Sequence, residues 1–143
     1  MAKVRRFEEL VCWQKARQLA NMVYDLANQT NFIRDRKLQD QIQSAASSVM
    51  HNIAEGHDAG TDLEFIRFLK IARRSCSEVQ SELYLAQDRK YIIKAELERT
   101  YALADEAKRL INGLIAYLRK SKTSVPSPDQ IREVTEPYLT NET

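Results

Sequence analysis

Residues that interrupt helices are almost missing from this chain: three glycines and three prolines in 143 residues. Sequences built of many short strands need turn residues in numbers, so an all-β fold is excluded on composition. The two cysteines, Cys12 and Cys76, form no CxxC pair and fall in separate helical patterns, which excludes a disulfide framework or a zinc knuckle. They read as reduced, buried thiols. Long apolar runs are also missing. Runs such as "NIA" and "YII" are far short of the ~18 residues that a membrane helix needs. No apolar stretch follows the basic start "MAKVRR" either, so a soluble, cytoplasmic protein is expected. Nor is one sign of charge in excess. Lys plus Arg number 22 against 20 for Asp plus Glu, a net charge of +2, and any basic surface must come from local segregation.

What remains is rich in Ala, Leu, Ile, Glu, Gln, Lys and Arg, the residues that lose least on entering a helix. Four segments carry helical periodicity. The first spans about Phe7 to Ala27, with Leu10, Ala16, Val23 and Leu26 on one face. The second runs from about Asp35 or Lys37 to Glu55 on Leu38, Ile42, Ala45 and Val49, with Gly56 placed to close it in a left-handed turn. Thr61 and Glu64 make a Thr-x-x-Glu capping box that opens the third. Its stripe, Phe65, Leu69, Ala72, Cys76, Val79, Leu83 and Ala86, steps by four and three, the spacing of a bundle seam. The fourth runs from about Ala95 to Lys120 with two adjoining apolar rows. Beyond it, "SKTSVPSPDQ" begins a Ser- and Pro-containing tail. The division is a bundle over residues 1–120 and an irregular tail over 121–143, with one short helical turn near "PDQIREV". Short connections leave no chain for a crossover, so the expectation is an all-α, antiparallel, up-down-up-down four-helix bundle. Apolar rows beyond those that one seam requires point to a homo-oligomer.

Candidate chemistry is sparse. His51 and Glu55 share a helical face, with His57 just past Gly56, but zinc requires at least three ligands. Di-iron bundles require Glu-x-x-His on two helices, and the chain has none. No metal, no cofactor and no catalytic residue is assigned, and the expectation is a non-enzyme. The glycines at 56, 60 and 113 are isolated, so there is no phosphate-cradling loop. Ser44, Ser47, Ser48 and Ser75 lack any orienting acid and base in sequence and read as small residues at helix contacts.

Local charge says more. Arg67, Lys70 and Arg74 recur at three and four residues, with Arg73 adjacent, away from the seam of the third helix. That stripe suits phosphate contacts, with Lys3, Arg5 and Arg6 of the N-terminal arm as a second set. The competing reading is a solvated face balanced by Glu64, Glu78 and Glu82.

Three stretches carry a resemblance: "FEELVCWQKA" from Phe7, "LQDQIQSAASSVMHNIAEG" from Leu38 and "FIRFLKIARRSCSEVQSEL" from Phe65. Together they resemble the four-helix-bundle proteins encoded in intervening sequences of bacterial 23S ribosomal RNA genes. That family is similar in turn to the accessory variability determinants of diversity-generating retroelements. The resemblance covers about residues 7–118 and implies a bundle assembling into a ring-like homo-oligomer, a pentamer, without catalysis. It further implies RNA or DNA, or a reverse transcriptase-like protein, as partner. The chain departs from the family pattern at Ile33, where relatives carry Pro, at Gln43 and Ser44, where they carry paired Arg, and at Arg74, where they carry Gly. Loss of the Arg pair weakens the nucleic-acid reading, which Arg74 beside Arg73 partly restores. A purely protein-binding scaffold is the alternative. Within "NIAEG", Asn52 and Glu55 are expected to hydrogen-bond to a neighbouring helix, making the stretch a joint.

Overall fold

The computed structural model describes residues 5–120, and its elements there are helical throughout. Helix α1 is Val11–Ala27, α2 Arg36–His57, α3 Asp62–Asp88 and α4 Lys94–Lys120. Short 3-10 turns occupy Phe7–Glu9 and Phe32–Arg34. Each helix packs on its sequence neighbours, and α4 returns to α1 to close the set around one core. The expected tail, its helical turn and Lys3 lie outside the described residues.

The apolar positions of the sequence are the buried ones. Leu19, Val23, Ile42, Val49, Ile53, Leu69, Val79, Leu83 and Ile111 are fully enclosed. No described helix is long and apolar enough to cross a membrane. Phe32 plugs one end of the core and meets the Tyr91 ring at 5.4 Å. The Tyr91 hydroxyl donates to Asp35 Oδ2 at 3.0 Å, while Asp35 Oδ1 accepts from Leu38 N at 3.1 Å. One carboxylate thereby caps α2 and ties it to the turn before α4.

Two boundaries differ from the sequence reading, each for a local reason. The first helix does not begin at Phe7. The chain is extended at Leu10, and Phe7 folds back so that its ring meets Trp13 edge-on at 5.2 Å. Gly56 does not end α2; it lies within it, and the positive φ of that connection belongs to Gly60, at 92°. What Gly56 supplies is closeness. A Cβ there would stand 2.8 Å from Phe68 Cβ and 2.9 Å from Phe65 Cδ1, so α2 and α3 approach to a distance that only glycine permits. The end of α3 is closed by Lys90, whose φ is 63°, with Tyr91 N donating to Ala86 O at 2.9 Å. This six-to-one bond is the Schellman closure, here built on a residue other than glycine.

Candidate functional site

Helix α3 positions most of the charged residues singled out by sequence. Thr61 Oγ1 accepts from Glu64 N at 3.2 Å and caps the helix. The Glu64 carboxylate does not reach back to complete the box; it pairs with Arg67 Nε at 2.9 Å. The Arg67 guanidinium also stands over the Phe68 ring, 4.6 Å from its centroid. Arg73 turns toward α4 and donates to Asn112 Oδ1 at 2.8 Å. Lys70 and Arg74 have no ion-pair or hydrogen-bond partner among the described residues, and Arg74 is exposed. The stripe therefore divides into two arginines with partners inside the chain and two cations without. Arg5 and Arg6 are exposed at the start of the described chain, and Arg6 does not adjoin the α3 stripe. It lines an open groove of about 1050 Å³ between α1 and α4, together with Trp13, Arg17, Met22, Arg99 and Leu103.

The α2–α3 seam holds a small polar network. Asn52 Nδ2 donates to Ser48 O at 2.8 Å and to Ser48 Oγ at 2.9 Å, and Ser75 Oγ donates to Ser48 Oγ at 3.0 Å. Asn52 thus reaches α3 only through Ser48, not directly as expected. Glu55 corrects the expectation outright: it is exposed and has no hydrogen bond among the described residues. A carboxylate facing water keeps its hydration and needs no partner across the seam. His51 is exposed, and the His57 ring sits edge-on to Phe65 at 6.0 Å.

Two features escaped the sequence reading. Gln80 is buried on the α3–α4 seam, donates to Asp105 Oδ1 at 2.8 Å and accepts from Lys108 Nζ at 3.2 Å. The only signal for it was a polar residue next to the seam positions Val79 and Leu83. Glu82 is half-buried, with Oε1 enclosed and lacking a hydrogen-bond partner. Burial first, and the Glu78 carboxylate second, push Glu82 up to about 7. The like charges at 78 and 82, one turn apart, were its visible signal. Cys12 and Cys76 are free and buried, and burial pushes both thiols up to about 12, which removes the thiolate and its reactivity.

The comparisons with known proteins agree with this architecture. A crystal structure of a protein of unknown function from the S23 ribosomal protein family of Bacteroides thetaiotaomicron VPI-5482 superposes with a TM-score of 0.65. It is 23% identical, and the superposition covers 73% of this chain and 98% of that one, so the likeness is one of fold. No curated protein matches the chain. The sequence pattern of the 23S rRNA-intervening sequence proteins matches residues 8–113, most of the described bundle, and the chain belongs to that family.

Proposed function

We propose that this protein is a non-enzymatic, oligomeric helical-bundle scaffold that contacts nucleic acid, or a nucleic-acid-processing partner, through basic helix faces. The helices run up-down-up-down. Support comes from cross-helix pairs whose numbers rise on one helix as they fall on the other: Lys15 with Glu106 and Gln29 with Glu96, then Arg73 with Asn112 and Gln80 with Asp105. Self-association into a ring-like homo-oligomer, with the pentamer that the family resemblance implies, completes the reading.

The observation that carries the nucleic-acid contact is the pair Lys70 and Arg74, cations without partners among the described residues, with Arg67 and Arg73 beside them. Cations with no internal counterion are the ones available to neutralise phosphates. Arg5, Arg6 and Lys3 form the second set. The family name of the structural neighbour, a ribosomal one, favours RNA over DNA. The test is retention of purified protein on RNA, DNA and neutral resins across a salt series. Retention on RNA that falls steeply with salt is expected, and equal retention on all three would refute the contact.

A second reading has its own observation. The α1–α4 groove presents Trp13, Met22 and Leu103 beside charges of both signs, a surface suited to a protein partner. It predicts a partner whose capture survives high salt and nuclease.

A further inference from the structure

The outward stripe of α3 carries charge sorted along its length. Arg67, Lys70 and Arg74 occupy the first half, and Glu78 and Glu82 follow on the same side, spaced by threes and fours. Within one helix this order does little. Pairing at four residues favours the acid on the N-terminal side, and Arg74 with Glu78 has the reverse order; no bond forms between them. Among the described residues Glu78 has no hydrogen-bond or ion-pair partner, and the enclosed Glu82 oxygen has none either. Two unpaired cations and two unpaired carboxylates thus lie on one face, arranged about Ser77, which is small and exposed.

We propose that this face docks on the same face of a second copy of the chain, with the two α3 helices reversed about a two-fold axis level with position 76, beside Ser77. Reversal sets Arg74 against Glu78 and Lys70 against Glu82, twice over by symmetry. Ser77 and Ser81 leave room for the two backbones to approach. The second copy is the occupant because its charges complement the four unpaired ones of this stripe, a cation of one copy facing a carboxylate of the other at each of the four positions. The contact rests on the reading of the chain as self-associating and adds a surface to it. It is isologous, so it cannot close a five-membered ring; it joins chains, or rings, in pairs.

The experiment is sedimentation of the full chain at low salt in four samples: wild type, K70E/R74E, E78K/E82K and a 1:1 mixture of the two variants. Each variant alone sets like charges against each other and is expected to associate more than about tenfold more weakly, halving the assembled mass. The mixture sets acidic groups at positions 70, 74, 78 and 82 of one variant against basic groups at the same positions of the other and is expected to restore the wild-type mass. Wild-type mass in either variant, or a mixture that stays at half mass, would overturn the proposal. Lys70 and Glu82 are half-buried, so R74E and E78K, at exposed positions, are run in parallel, with helicity checked by circular dichroism. RNA retention of E78K/E82K separates the two readings. The basic half is intact there, so lost pairing with kept retention isolates this contact, whereas restored pairing with no retention in wild type removes only the nucleic-acid reading.

Discussion

The inner and outer faces of α3 obey different rules. The inner face is apolar and closed: Leu69, Ala72, Cys76, Val79 and Leu83 are fully buried, and Phe65 and Phe68 press on Gly56 of α2. Its partners lie within the chain, so its sequence is set by packing. The outer face holds Lys70, Arg74 and Glu78, which have no counterion among the described residues. Charges left unpaired contribute little to stability. The function proposed for this helix gives folding to one side and recognition to the other.

Substitutions that sharpen the contrast scale with depth. Leu69→Ala opens a cavity in the enclosed core and is expected to lower unfolding free energy by ~3 kcal/mol in urea titration. Gly56→Ala places a methyl group 2.8 Å from Phe68 Cβ, an atom fixed to the α3 backbone. The seam must open, and the net cost is about 1–2 kcal/mol despite the gain in helix propensity.

Glu82 sits between the two faces and supplies a pH-dependent test. The carboxyl titrates near 4.5 when unperturbed and at about 7 in the fold. The folded state therefore holds its proton more tightly, and the stabilisation is complete below pH 4.5 and fades as pH rises through 7. Glu78, one turn earlier on α3, adds like charge to the effect of burial. In dilute protein, Glu82→Gln is expected to flatten the dependence of melting temperature on pH between 4.5 and 7. The gain at pH 8 is ~1 kcal/mol once solvent screening of a half-exposed group is counted. An unaltered pH profile would remove Glu82 from the account. Arg74→Ala, at the outer extreme, is expected to change stability by less than about 0.5 kcal/mol.

The two faces were also unequally legible in the sequence. The inner stripe could be read directly, because burial imposes a period on residue type, and the four helices followed from it. The glycine at 56 was visible, but its meaning was not. Gly at a helix end and Gly at a helix contact look alike in one sequence, and Phe65 and Phe68 distinguish them only once α3 is in place. Lys90 gave no sign of its left-handed conformation, which the closure of α3 imposes. On the outer face, the row Arg67, Lys70, Arg74 was plain, yet its division was not. Whether an arginine is free depends on Asn112, 39 positions from Arg73, and on the geometry that lets Glu64 take Arg67. The polar joint was half legible: Asn52 was found, but its link to α3 through Ser48 and Ser75 needed the seam.

The measurement that bears most directly on the division of labour in α3 is made on Arg74→Glu. Its melting curve, its sedimentation mass and its retention on RNA are recorded side by side with wild type. A surface kept for recognition predicts a melt within about 0.5 kcal/mol of wild type, with assembled mass and RNA retention both reduced. A melt that collapses, or mass and retention that stay at wild-type values, would contradict it.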